Sequence, residues 1–138
     1  MEAMDLNTDI CNLITNYGEM TMKQKNVIQE KSFAFAIRIV NLYKYLCDVK
    51  KEFILSKQVL RSGTSIGANI EESIEGQSDK DFLANVNIAY KKARETVFWL
   101  ELLLAAEHIN NEQADSLLKD AEEISKMLGN IQLSIKKT

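Results

Sequence analysis

The segment RSGTSIGANIEE, residues 61–72, is where residue types and spacing come nearest to a chemical site. Glycines and hydroxyl side chains are what a phosphate-binding loop uses, but such a loop needs a lysine directly after its second glycine. Here Gly67 is followed by Ala68 and Asn69. A dinucleotide-binding loop would need a preceding strand, whereas the flanking residues have the period of a helix. We therefore interpret the segment as a helix built with small residues.

Acid–base and metal chemistry have few candidates in this chain. Glu72 and Glu95 would be a possible carboxylate pair, yet nothing in the sequence brings them together, and ion pairing with nearby Arg or Lys is the simpler interpretation. A di-metal centre in a helical bundle uses Glu-x-x-His motifs, and the single histidine, His108, has Ala105 three positions before it. We predict that the protein is not an enzyme and that it has no catalytic residue, metal site or cofactor.

Four helical segments account for most of the chain. The 138 residues match one domain and contain no proline, which favours long helices. Apolar residues recur at three- and four-residue steps from about Val27, Ser56, Asp79 and Asn111 onward. We predict an all-α fold, an antiparallel up-and-down four-helix bundle over residues 25–138. Residues 1–24 form a short N-terminal extension that is either partly helical or disordered.

The same spacing predicts which residues face the core and which begin the helices. The apolar face of the first helix is expected to contain Phe33, Ala36, Ile37, Val40, Tyr43 and Cys47. In the second helix, Gly63 and Gly67 share a face with isoleucines, which predicts that a neighbouring helix approaches closely. The expected N-caps are Ser56, Ser78 and one of Asn110 and Asn111.

Two further surface strips suggest contact with another subunit. The second helix carries a polar stripe opposite its apolar face: Arg61, Ser65, Asn69 and Glu72. The third helix carries a second apolar strip: Ile88, Trp99, Leu102 and Ala106, in line with Lys92 and Glu95. A helix that is apolar on two sides is sandwiched or packs on another subunit. We interpret the two strips together as an oligomer interface; the alternative is an ordinary solvated surface.

The charges are unevenly distributed, although the net charge is only −3. Basic residues predominate between residues 30 and 61, whereas residues 107–123 carry six acids and one lysine. Nucleic-acid phosphates would bind such a basic surface. The candidate residues are Lys31, Arg38, Lys44, Lys50, Lys51 and Lys57. Solvated helix faces are the other interpretation, and an acidic pI of about 5.3 favours a protein-interaction scaffold without a nucleic-acid role.

A membrane location is not expected. No apolar run is long enough to span a bilayer, and the N-terminus lacks the basic and apolar regions of a signal peptide. We therefore expect a cytoplasmic protein.

Two motifs carry a resemblance to a known family. VLRSGTSIGANIEES followed by DFLANVNIAYKKARETVFWLELL is similar to the four-helix-bundle proteins encoded in intervening sequences of bacterial 23S rRNA genes, over about residues 27–130. The resemblance implies a homopentamer and makes Ser65, Asn69, Glu72 and Glu95 signature positions with a structural or interface role, without catalytic residues. The chain also resembles accessory variability proteins of diversity-generating retroelements, which implies association with nucleic acid and a reverse transcriptase.

Overall fold

The computed structural model describes residues 22–76 and 78–136, which form four helices. Helix α1 is Met22–Asp48, α2 is Leu55–Glu75, α3 is Asp79–Ala105 and α4 is Asn111–Lys136. Successive helices pack on each other and α4 packs on α1, which confirms the predicted all-α, antiparallel up-and-down four-helix bundle. The predicted extension, except for the residues that begin α1, lies outside the described residues. None of these helices has an apolar stretch long enough to cross a membrane.

Side-chain caps fix the starts of α3 and α4 as the sequence predicts. The Ser78 hydroxyl accepts a hydrogen bond from the Asp81 backbone N–H at 3.1 Å. At α4, the Asn110 side chain accepts from the Gln113 N–H at 2.8 Å, and the Gln113 side chain accepts from the Asn110 N–H at 2.9 Å. This reciprocal pair is a capping box, which satisfies two helix-end donors at once. Ser78 and Asn110 are therefore the N-caps.

The core face of α1 differs from the prediction. The buried residues of α1 include Phe35, Ile39, Leu42 and Leu46, whereas Phe33 is 68% exposed and Ile37 is 49% exposed. Cys47 is only half-buried. Placing Phe33 and Ile37 in the core was thus wrong. Both faces have helical spacing, and the true face is interrupted by Ser32, a polar residue that is buried.

Small residues bring α1 and α2 close together, as predicted for the glycine face of α2. A Cβ atom at Gly63 would lie 2.7 Å from the Ile39 Cγ1 atom, closer than two carbons can approach. A Cβ at Gly67 would lie 3.5 Å from the carbonyl oxygen and the hydroxyl of Ser32, which is ordinary contact. A side chain at Gly63 would therefore force a shift in the packing, because Ile39 fills the space.

Buried hydroxyl groups hold α2 against α3. The Ser62 and Thr96 side-chain oxygens are 3.0 Å apart, and both residues are buried. The Thr96 hydroxyl is also 2.7 Å from the Lys92 carbonyl oxygen one turn earlier in α3. Because buried polar groups cost free energy unless they are bonded, this pairing both satisfies the hydroxyls and fixes the register of α2 on α3.

The seam between α1 and α4 relies on charged side chains. The Arg38 guanidinium contacts the Asp120 carboxylate at 2.5 Å and donates to the Ser116 hydroxyl at 2.7 Å. Lys31 pairs with Glu123 at 3.6 Å. Open clefts of about 290 and 100 Å³ lie along this seam, one lined by Arg38 and the other by Lys31. Here the helices are bridged at the surface more than they are packed.

Candidate interaction surfaces

The polar stripe of α2 and the apolar strip of α3 lie along the same seam. The Ser62–Thr96 contact gives the register of the two antiparallel helices. At about 100° per residue, Ser62 lies between the core face of α2 and its stripe, and Thr96 lies between the core face of α3 and its strip. Both strips therefore flank the outer edge of the α2–α3 seam. We call this the α2–α3 surface, and it contains Arg61, Ser65, Asn69, Glu72, Ile88, Glu95, Trp99 and Leu102.

The stripe residues of α2 bond to their own helix. The Ser65 hydroxyl donates to the Arg61 carbonyl oxygen at 2.5 Å, and the Asn69 amide donates to the Ser65 carbonyl oxygen at 2.8 Å. Both side chains are half-buried, whereas Arg61 and Glu72 are exposed. Serine and asparagine in mid-helix favour such local bonds, which keep the side chains short and close to the backbone. The stripe is consequently a shallow surface.

The strip on α3 is organised around Trp99. The Trp99 indole N–H donates to the Glu95 carboxylate at 3.1 Å, and the same carboxylate lies 3.6 Å from the Lys92 ammonium group. The Phe98 ring meets the Trp99 ring edge-to-face, with centroids 5.1 Å apart. Trp99 and Leu102 are half-buried, and Ile88 is exposed. These contacts hold a flat aromatic and aliphatic patch beside the polar stripe.

The six predicted nucleic-acid-binding residues separate into two groups. Lys31 and Arg38 turn toward α4, where Glu123 and Asp120 neutralise them. Basic α1 and acidic α4 thus meet directly, so much of the charge asymmetry in the sequence is satisfied within the bundle. The remaining four are exposed and belong to no ion pair of the described part of the chain: Lys44, Lys50, Lys51 and Lys57. We call this group the lysine-rich end.

The lysine-rich end surrounds the turn between α1 and α2, residues 49–54. Lys51 has a φ of 53°, the left-handed conformation that reverses the chain after α1. The Glu52 N–H then donates to the Leu46 carbonyl oxygen at 2.9 Å. Lys50 and Lys51 thus project from a turn whose backbone is tied to both helices, and Lys44 and Lys57 lie in the flanking helices.

Glu52, and not Ser56, caps α2, so the predicted cap was wrong. Its carboxylate accepts from the backbone N–H groups of Ile54, Leu55 and Ser56 at 2.8 to 3.3 Å. Partial burial raises the pKa of Glu52, but the N–H bonds from Ser56, Leu55 and Ile54 and attraction to His108 outweigh it, so the pKa is lowered below 4.5. Ser56 is buried inside the helix instead.

Glu52→Ala is expected to lower the free energy of unfolding by about 1–2 kcal/mol near neutral pH, because it removes the bonds to the α2 N-terminus. The folded-state pKa is depressed, so this stabilisation is complete above the ordinary carboxyl value and is lost as pH falls through the folded-state value. Chemical denaturation of both proteins at several pH values measures the difference. The difference for Glu52→Ala should shrink in acid. Glu101→Ala, at an exposed position of α3, should change the free energy of unfolding little at every pH. A pH-independent difference for Glu52→Ala would contradict the capping role.

The chain is similar to proteins of one known family. The family model for 23S rRNA-intervening sequence proteins matches residues 24–130, most of the chain and nearly all of the bundle. The chain belongs to this family. A crystal structure of a protein of unknown function from the S23 ribosomal protein family of Bacteroides thetaiotaomicron is 54% identical, with a TM-score of 0.76. The match covers 83% of this chain and 98% of that one. No curated protein matches the chain.

The matched region of this 23S rRNA-intervening sequence family member includes both motifs noted in the sequence. After the Asn69–Ile70 pair, this chain has Glu71, Glu72 and Ser73. Helix α2 continues through these residues to Glu75 and is followed by Gly76. Ser73 is buried and donates to the Ile70 carbonyl oxygen at 2.7 Å, so its hydroxyl group is satisfied within the helix.

Sequence reasoning missed the apolar side chains at the lysine-rich end of this family member. Val49 is 63% exposed, Phe53 is 53% exposed and Ile54 is 75% exposed. Val49 precedes Lys50, Lys51 and the inward-turned Glu52, and Phe53 and Ile54 follow them. The signal was available, since apolar residues outside any helical period have no core face to join. Exposed large apolar groups beside unpaired lysines form a surface that can bind both apolar and anionic groups of a partner.

Proposed function

We propose that this 23S rRNA-intervening sequence protein is a non-enzymatic, cytoplasmic helical bundle that binds RNA phosphates through its lysine-rich end. One observation carries the proposal: Lys44, Lys50, Lys51 and Lys57 are exposed and unpaired in the described residues, while Glu52 points into the α2 N-terminus. Asp48 is then the exposed carboxylate that remains within residues 44–57. Phosphate contacts by such lysines need no sequence-specific site. By resemblance, the RNA is ribosomal RNA or RNA in a complex with a reverse transcriptase.

Salt dependence of RNA binding tests the proposal. Four lysine–phosphate contacts predict that the logarithm of the association constant falls with log salt at a slope of about −3. The double variant Lys50→Glu with Lys51→Glu should weaken binding at least about tenfold and make the slope shallower. Fluorescence anisotropy with a labelled RNA measures both quantities. Lys119→Glu, an exposed lysine on α4, is the matched control and should have little effect.

No RNA binding at low salt, or equal losses for the Lys50/Lys51 and Lys119 variants, would overturn this function. The scaffold alternative, in which the bundle binds a protein and no nucleic acid, has its own supporting observation. Phe33 and Ile37 lie one helical turn apart on α1 and are both exposed. A purified partner whose affinity falls for Phe33→Ala, together with absent RNA binding, would select the scaffold.

We further propose that the α2–α3 surface joins copies of this chain, with the pentamer that the family resemblance implies as the expected order. The half-buried Trp99, bonded to Glu95, and the Ser65–Asn69 stripe, bonded to its own helix, support an interface, because both present ordered side chains next to each other. Aromatic residues at the centre of interfaces contribute most of the binding free energy.

Trp99→Glu and Asn69→Lys are each expected to lower the oligomer order, since one places a charge and the other a long cationic chain at the proposed interface. Light scattering at micromolar concentration gives the mass. Lys119→Glu again serves as control and should keep the wild-type mass. A monomeric wild-type protein, or unchanged mass in both variants, would refute the interface.

A further inference from the structure

The lysine-rich end combines cationic and apolar groups on one short turn. Phe53 and Ile54 directly follow Lys50, Lys51 and Glu52, and Lys57 lies in the first turn of α2. Consecutive Cα atoms are about 3.8 Å apart, so Lys51 and Phe53 lie within about 8 Å of each other. An aromatic face and an ammonium group at this separation can reach parts of the same nucleotide.

Phe53 is exposed on a turn whose backbone is restrained on both sides. The Glu52 carboxylate binds the N–H groups of the three residues that follow Phe53, and the Glu52 N–H is bonded to Leu46. These bonds fix the chain on both sides of Phe53, whose side chain is 53% exposed. A phenylalanine has no polar group that gains from exposure, so an exposed ring on a restrained turn next to lysines is suited to a partner that is both anionic and flat.

We propose that the lysine-rich end selects unpaired RNA, with a base stacked on Phe53 and adjacent phosphates on Lys50, Lys51 and Lys57. The inference rests on the proposed RNA-binding function and names its substrate class. Bases in a duplex are stacked inside the helix, whereas bases in single strands and loops are free to stack on an aromatic side chain. The lysines can bind the phosphates of duplex RNA, but no base of the duplex is free to stack on Phe53.

Two RNA probes compared on the same variants test this inference. The probes are a fluorescein-labelled oligouridylate of about 12 nucleotides and a labelled RNA duplex of similar length, measured by anisotropy at fixed salt. Phe53→Ala should weaken oligouridylate binding by about 5- to 100-fold, as expected for one lost stacking contact, and leave duplex affinity unchanged. Phe53→Trp should restore single-strand affinity because it restores the aromatic face. Phe33→Ala, an exposed phenylalanine on α1, is the control and should change neither.

The outcomes separate the inference from the proposed function. Equal losses for both probes, or no loss in Phe53→Ala while the Lys50/Lys51 reversal still weakens binding, would overturn the stacking role and leave RNA binding intact. No effect of the lysine reversal would overturn both. Vesicles of phosphatidylcholine with phosphatidylglycerol provide the last arm. If Phe53→Ala weakens vesicle binding and not oligouridylate binding, the apolar turn recognises a lipid surface and the inference is wrong.

Discussion

Phe35→Ala is expected to lower the free energy of unfolding by about 3–5 kcal/mol, whereas Phe33→Ala should change it by less than about 0.5 kcal/mol. Phe35 is 1% exposed in the core of α1, so its truncation leaves a cavity and removes a large buried apolar surface. Phe33 is 68% exposed two residues earlier on the same helix. The same substitution in the same element therefore compares the two faces with equal changes in helix propensity.

Urea denaturation followed by circular dichroism measures both free energies. The comparison is made at a concentration at which light scattering gives one mass for wild type and both variants, so that assembly does not contribute. Similar costs for the two variants would contradict the assignment of the core face. A larger loss of stability for Phe33→Ala than for Phe35→Ala would support the core face predicted from hydrophobic spacing, which contains Phe33 and Ile37.

Gly63→Ala is expected to destabilise the bundle by about 1–2 kcal/mol, the net of overpacking and of the higher helix propensity of alanine. The added methyl group would overlap with Ile39, whose branched side chain is fully buried, so that side chain or the helix must shift. Gly67→Ala is the matched control. Its methyl group meets Ser32 at ordinary contact distance, so helix propensity predominates and stability should rise by about 0.5–1 kcal/mol.

A double-mutant cycle identifies Ile39 as the cause. Ile39→Ala alone should cost about 2–5 kcal/mol, and in the Gly63→Ala background it should cost at least about 1 kcal/mol less, because the new methyl group occupies part of the space. Thermal or chemical denaturation of the four proteins gives the coupling free energy. Additive effects, or equal effects of alanine at Gly63 and Gly67, would show that no close approach limits this position.

Hydrophobic spacing and helix caps predicted the bundle well because long, proline-free helices repeat the same signal many times. They failed on α1, where two faces have helical periodicity. Ser32 is in the true core, its hydroxyl 3.2 Å from the Gln29 carbonyl oxygen and its backbone against Gly67. A serine in a sequence pattern indicates an exposed position. The pattern of α1 does not include Gly67, which makes room for Ser32 and belongs to another helix.

The candidate surfaces were predictable in composition and not in arrangement. The polar stripe of α2 and the strip around Trp99 share one seam, but only the Ser62–Thr96 contact reveals that they are adjacent. Charge counting likewise identified the basic segment without distinguishing Lys31 and Arg38, which face α4, from the lysines of the turn. Which lysines remain free depends on the partner helix, and local spacing carries no information about that partner.

The α1–α4 seam has a consequence for how the molecule loosens. Its bridges are half-exposed ion pairs, each contributing little and weakened further by salt, whereas buried hydroxyl groups join α2 to α3. We therefore expect local opening to begin where the first and last helices of the bundle meet, and α2 with α3 to be the most persistent unit. That unit also carries the α2–α3 surface, so the proposed interface would stay ordered while α1 and α4 separate locally.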